Sequence, residues 1–192
     1  MTHKISHKNG RYRYVALLRG INVGGNNIVS MSELRACFED VGFSDVSTYI
    51  NSGNVLFSSD EKSIDVLILL CEKSIKKIFN LAIRVVVISA DQLERVMTEA
   101  PNSWGHDILR KHNLLFVRPP VSSQEVMNEI STVKSEIETV TMGDGVVYWS
   151  ASLEQFGRTA SSKLASNPVY QVVTVRNYNT SFKLLDLLQK NK

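Results

Sequence analysis

The sequence is poor in the residues that identify disulfide-stabilised and metal-binding proteins. It has 2 cysteines and 4 histidines in 192 residues. Cys37 and Cys71 both lie in apolar helical patterns, so we expect buried thiols rather than a disulfide or a metal pair. The histidines are His3, His7, His106 and His112. None has metal-ligand spacing such as H-E-x-x-H, so we predict solvated or loop-packed histidines and no metal site.

Long apolar runs are also missing. No stretch is long enough to span a bilayer, and the N-terminus lacks the apolar centre of a secretory signal, so we expect a cytoplasmic protein without a membrane partner. The net charge is only +3. Part of it comes from Lys4, Lys8, Arg11 and Arg13, which we interpret as a frayed tail. So small an excess of positive charge argues against a surface that contacts many nucleic-acid phosphates.

Motifs of common catalytic classes are absent as well. There is no G-x-G-x-x-G fingerprint, no P-loop and no G-x-S-x-G elbow, and no pair of carboxylates stands out. Ser52 precedes a glycine in a turn, and no base for it is identifiable, so we do not predict it as a nucleophile. The sequence does not decide whether the protein is an enzyme, and it indicates neither a cofactor nor an oligomeric state.

What the sequence does contain is a repeated pattern of strands and helices. Apolar periodicity and turn residues predict βαββαβ twice, each copy followed by a helix. The predicted strands are 12–18, 46–50, 54–58, 82–88, 113–117, 139–142, 146–150 and 169–175. The predicted helices begin near residues 31, 64, 90, 123, 159 and 182, three of them with capping boxes at Ser30, Ser89 and Ser122.

This order predicts an α+β fold of two tandem ferredoxin-like units, antiparallel sheets with helices packed on one face. We place the units at 12–100 and 112–192, joined by a connector at 101–111. Four aromatic residues could stack on bases, namely Trp104, Tyr148, Trp149 and Tyr178. Because neighbours on a strand face opposite sides, we expect one of Tyr148 and Trp149 to be core.

Two Gly- and Asn-rich segments are the main site candidates. Residues 14–25 read YVALLRGINVGG and residues 48–55 read TYINSGNV. The first leaves a strand and leads towards a helix, where backbone N–H groups can meet an anion. Arginine and lysine bind phosphate or carboxylate, and asparagine amides bind base edges or sugar hydroxyls.

These strings, with SKL at 162–164 and TVRNYNT at 174–180, resemble a bacterial family catalogued as domain of unknown function 1697. Tyr178 stands where that family usually has tryptophan, and the lead-in at 156–161 departs from a Gly-x-Gly-like pattern. The resemblance implies a pair of ferredoxin-like units and no established activity.

We therefore predict an anionic small molecule or nucleotide, phosphorylated in the favoured case, bound in a cleft between the two halves. The predicted ligand-binding residues are Arg19, Asn22, Gly24, Gly25, Asn51, Ser52, Gly53, Asn54, Lys163, Arg176, Asn177 and Asn179. For residues 51–54 and 177–180, turn-forming or helix-capping roles are an equal alternative. An enzyme acting on an anionic substrate, and a nucleic-acid or protein interaction module, are the other functional alternatives.

Overall fold

The computed structural model describes residues 11–130 and 133–190. The tail residues Lys4, Lys8, His3 and His7 lie outside them. The chain divides into two compact units, one of residues up to Glu94 together with those from Leu184 on, and one of Arg95–Lys183. The predicted ranges 12–100, 101–111 and 112–192 differ from this division in two places: residues 95–111 belong to the second unit, and the residues from Leu184 on belong to the first.

The first unit has a four-stranded antiparallel sheet. Its elements are β1 (Tyr12–Leu18), α1 (Met31–Asp40), β2 (Ser44–Tyr49), β3 (Asn54–Ser59), α2 (Ile64–Phe79), β4 (Val85–Ser89) and the start of α3 (Ala90–Thr98). The strand order is β2-β3-β1-β4. The central strand β1 pairs antiparallel with both β3 and β4. The uninterrupted apolar run at 14–18 suits a strand that is covered on both faces.

The second unit repeats the strand order. Its elements are β5 (Arg110–Val117), α4 (Ser123–Glu129), β6 (Glu138–Gly143), β7 (Val146–Ser152), β8 (Val173–Asn177) and the start of α5 (Tyr178–Lys190). The order is β6-β7-β5-β8, again antiparallel throughout. The α+β class is thus confirmed. In the part of the chain that the structure describes, no helix has both the length and the apolar character needed to cross a membrane.

One predicted helix does not form. Instead of a helix at 159–166, the structure has three short 3₁₀ segments, Phe156–Arg158, Ser161–Ser166 and Pro168–Gln171. Hydroxyl groups bond to nearby main-chain atoms here, for example Ser162 Oγ to the Thr159 carbonyl at 2.8 Å. Such local bonds compete with the regular helical ladder.

Boundaries also differ near the C-terminus. The last strand begins at Val173 rather than 169, because Asn167 caps a 3₁₀ turn by accepting a bond from the Val169 amide. The closing helix begins at Tyr178 rather than 182. Asn177 Oδ1 accepts the Thr180 amide at 2.8 Å, which is the bond of a helix N-cap.

Two charged or polar residues are buried where we expected exposure. Arg13 lies within β1, and the pKa of its guanidinium is lowered by burial. Its Nη1 donates to the Leu188 carbonyl at 3.1 Å. His112 lies within β5 rather than in a loop, and its two ring nitrogens bond to Ser150 Oγ and the Asp107 carbonyl. Both side chains are ordered parts of their sheets.

The prediction of buried thiols is confirmed, whereas the prediction that one of Tyr148 and Trp149 lies in the core needs correction. Cys37 and Cys71 are free, buried thiols, and burial raises the pKa of each. Tyr148 and Trp149 are both buried, at 3% and 2% exposure, although they face opposite sides of β7. Both faces of this strand are covered, so neither ring is a stacking platform for bases.

Candidate functional site

The segment 19–27, here called the glycine loop, ends in a tight turn. Gly24 and Gly25 have φ of 58° and 78°, and the Asn26 amide donates to the Val23 carbonyl at 3.0 Å. Two central residues at positive φ are typical of a type I′ turn. Both glycines are exposed, so their amides face solvent at the tip of the loop.

Asn22 holds the glycine loop in place. Its Nδ2 donates to the Val29 carbonyl at 2.9 Å and to the Asn51 carbonyl at 3.0 Å, and its Oδ1 accepts the Val29 amide at 2.8 Å. The bond to Asn51 joins two of the predicted segments, which lie 29 residues apart. Asn22 therefore fixes the loop and the 50–53 turn side by side, and its amide is engaged by main-chain groups.

The turn at 50–53, here called the asparagine turn, connects β2 and β3. Ile50 is exposed and has φ of 48°, which is uncommon for a β-branched residue. Gly53 has φ of 77°, and its carbonyl accepts the Leu18 amide at 2.8 Å. Asn54 is buried and donates from Nδ2 to the Tyr49 carbonyl and to Ser52 Oγ. Backbone strain of this kind clusters at functional sites.

Positive charge gathers at the end of the sheet from which the glycine loop leaves. The Arg19 amide donates to the Arg84 carbonyl at 3.0 Å. Since Leu18 pairs with Val85, Arg19 and Arg84 occupy the next cross-strand position. Two like charges at opposed positions are unfavourable alone and favour a nearby anion.

The other predicted residues belong to the second unit. Lys163 is exposed on the 3₁₀ segment Ser161–Ser166. Arg176 lies in β8 at 8% exposure, and burial lowers the pKa of its guanidinium to about 10. Asn177 caps α5, which is the helix-capping role that we gave as the alternative to ligand binding. Asn179 is exposed in the first turn of that helix. Their convergence with the glycine loop on one ligand stays a prediction.

A buried carboxylate that we did not predict holds the Lys163 segment. Glu138, at 1% exposure, accepts the main-chain amides of Ala160 at 2.8 Å and Ser161 at 3.3 Å. It also accepts the Lys134 amide at 3.1 Å and Trp149 Nε1 at 2.9 Å. Glu138 thus positions the segment on which Lys163 lies. In the sequence it is one acidic residue before a strand, which gives no signal of this role.

Three of the four predicted stacking residues, Trp104, Tyr148 and Tyr178, form a packed aromatic cluster. The Trp104 ring is buried and lies edge-on to Tyr148 and to Tyr178, with centroid distances of 5.3 and 5.1 Å. The Tyr148 hydroxyl donates to the Val96 carbonyl, and burial raises the pKa of Tyr148 to about 12. Gly105 leaves room for Tyr178, whose ring would lie 2.3 Å from an added Cβ. The cluster stabilises the second unit.

Two of the comparisons with known proteins found similar sequences or structures. A model of the family described as proteins of unknown function, DUF1697, matches residues 12–148. A solved structure, that of the conserved bacterial protein SP0830 from Streptococcus pneumoniae, is 30% identical in sequence. The alignment covers 93% of this chain and 99% of that one, with a TM-score of 0.83. Among curated proteins, none matches the sequence.

The family match contains the glycine loop and the asparagine turn, and it ends before Lys163 and Arg176. The similarity to the Streptococcus protein extends over nearly the whole chain at a sequence identity that indicates common ancestry. The chain therefore belongs to the DUF1697 family of proteins of unknown function.

Proposed function

We propose that the protein binds a phosphorylated small molecule or nucleotide at the surface formed by the glycine loop and the asparagine turn. The observation that carries this proposal is the 3.0 Å bond between Asn22 Nδ2 and the Asn51 carbonyl, which fixes the two segments together. The exposed Gly24 and Gly25 amides and the paired Arg19 and Arg84 positions supply groups that bind anions.

The strained backbone supports the same proposal. Asn22 and Ile50 both have positive φ, and their positions lie next to the bond that joins the two segments. A conformation that costs about 1–3 kcal/mol persists only where the surroundings enforce it. A preorganised loop loses less entropy when a ligand binds. Added charge from Lys163 and Arg176 is a further part of the proposal and needs its own variants.

We also infer the finer architecture, two tandem ferredoxin-like units. The support is that each sheet places its first strand between its third and fourth, with the second strand at the edge. In the first unit, helices connect the strands as βαββαβ requires. In the second unit, 3₁₀ segments stand where the second helix would lie.

The binding proposal is tested by thermal unfolding with a panel of inorganic phosphate, pyrophosphate and ADP at millimolar concentration. A ligand at about 100 times its Kd stabilises the native state by about 2.7 kcal/mol, so we expect at least one panel member to raise the Tm. Arg19→Ala should remove most of that rise, and the Arg19→Ala, Arg176→Ala pair should abolish it.

The matched control is Arg35→Ala, which removes the same charge from an exposed position on α1 where Arg35 pairs with Glu39. This variant should keep the full ligand-induced rise in Tm. If no panel member changes the Tm, or if Arg19→Ala and Arg35→Ala respond alike, the proposal is wrong.

A further inference from the structure

A second surface of the first unit has the properties of a ligand site. An open groove of about 670 Å³ lies between one face of α2 and the segment 82–84 that leads into β4. Small-molecule sites typically measure about 300–1,000 Å³. Its α2 lining is residues Leu69, Glu72, Lys73, Lys76 and Lys77, which recur at helical spacing and so form one stripe.

The groove concentrates positive charge. Four cationic residues line it, Lys73, Lys76, Lys77 and Arg84, with Glu72 as the lining carboxylate. The lining therefore carries a formal charge of +3, equal to the net charge of the whole chain. Charge of one sign in a concave surface raises the local concentration of anionic ligands.

Most of this positive charge has no carboxylate partner among the described residues. Glu72 Oε1 accepts the Val85 amide at 2.9 Å, at the outer edge of the sheet. Lys76 Nζ donates to the carbonyl and Oδ1 of Asn80. Within residues 11–130 and 133–190, Lys73, Lys77 and Arg84 form no ion pair with a carboxylate.

The groove also has an apolar part. Leu69 is 50% exposed on the α2 side of the groove, and Ala82 and Ile83 line the opposite side. A ligand that uses the whole groove must combine an apolar or planar body with anionic groups. Inorganic anions supply the negative charge but lack the apolar or planar body.

We propose that this groove binds an organic phosphate of nucleotide size, with its phosphates at Lys73, Lys77 and Arg84 and its body against Leu69 and Ile83. The groove shares Arg84 with the surface of the glycine loop and asparagine turn, but its α2 lining is not part of that surface, and the inference does not rest on the function proposed there.

The experiment is a titration of the full chain with ADP and, separately, with inorganic pyrophosphate, followed by NMR chemical shifts of backbone amides at near-physiological salt. ADP should shift the amides of 69–77 and 82–84 and bind more tightly than pyrophosphate, which lacks the body that contacts Leu69. Residue-resolved shifts separate this groove from the other surface, whose amides are 22–25 and 50–54.

The variant Lys73→Gln, Lys77→Gln keeps good helix formers on α2 and should weaken ADP binding at the groove by about ten- to a hundredfold. The control Lys62→Gln, Lys111→Gln removes the same charge outside the lining and should change the Kd by less than about twofold. The inference is overturned if ADP leaves 69–84 unshifted, if pyrophosphate binds as tightly as ADP, or if both double variants bind alike.

Discussion

At the residue scale, two glycines show how the same backbone angle can serve different purposes. Gly25 and Gly53 have φ of 78° and 77°. A Cβ added at Gly25 would meet nothing within 4 Å, whereas at Gly53 it would lie 2.7 Å from Leu18 Cβ and 2.8 Å from Ile21 Cδ1. Gly25 is needed only for its conformation, while Gly53 also lets the asparagine turn pack against the strand that precedes the glycine loop.

The difference between the two glycines gives a prediction for Gly53, with Gly25 as its control. Gly53→Ala adds a clash to the cost of positive φ and should lower the free energy of unfolding by about 2–4 kcal/mol. Gly25→Ala carries the conformational cost alone, about 1 kcal/mol. Urea unfolding followed by circular dichroism measures both. Equal losses for the two variants would show that the approach to Leu18 is not tight in solution.

At the element scale, the 3₁₀ segment Ser161–Ser166 depends on a residue from another element. Glu138, the first residue of β6, accepts the amides of Ala160 and Ser161 at the start of that segment. Charge-assisted bonds in a buried setting are stronger than neutral ones. A segment that is too short for a stable helix is thereby held in one conformation with Lys163 on its surface.

Glu138→Gln should therefore destabilise the protein, because the new NH₂ group would face N–H donors that now bond to an oxygen. We expect a loss of about 2–4 kcal/mol in the free energy of unfolding. Glu136→Gln makes the same chemical change at an exposed position and should stay within about 0.5 kcal/mol of the parent. Matching urea midpoints for the two variants would refute the positioning role of Glu138.

These particular residues also show what sequence patterns can and cannot predict. The strands and the glycine loop were predictable, because apolar alternation and turn residues act over a few positions. The bond between Glu138 and Ala160 joins residues 22 positions apart, and nothing in either neighbourhood encodes it. The contact of Asn22 with Asn51 likewise needed coordinates, although both residues were chosen from their sequence context.

At the scale of the whole molecule, the two sheets share a strand order, but the units are not consecutive stretches of chain. The residues from Leu184 on belong to the first unit, where the Leu188 carbonyl accepts the buried Arg13 side chain. Leu184 and Leu188 are both fully buried. Sequence patterns predicted the closing helix but assigned it to the second unit, because helical periodicity does not identify what a helix packs against.

A chain that ends at Lys183 should therefore lose stability in the first unit. Removal of two buried leucines alone costs about 4 kcal/mol or more. A chain that ends at Lys190 keeps both leucines and serves as the control. Hydrogen exchange of β1 amides should be much faster in the shorter chain only. Equal protection of β1 in the two chains would contradict the assignment of this segment to the first unit.

This arrangement has a consequence for biosynthesis. The amino-terminal sheet emerges early from the ribosome, yet the Leu188 carbonyl that accepts a bond from Arg13 Nη1 is made about 175 residues later. At translation rates of about 5–20 residues per second, the nascent first unit waits on the order of ten seconds for its last segment. During that interval the first unit lacks the Leu188 acceptor and the two leucines that the finished chain buries, so we expect its apolar surface to stay exposed until synthesis is complete.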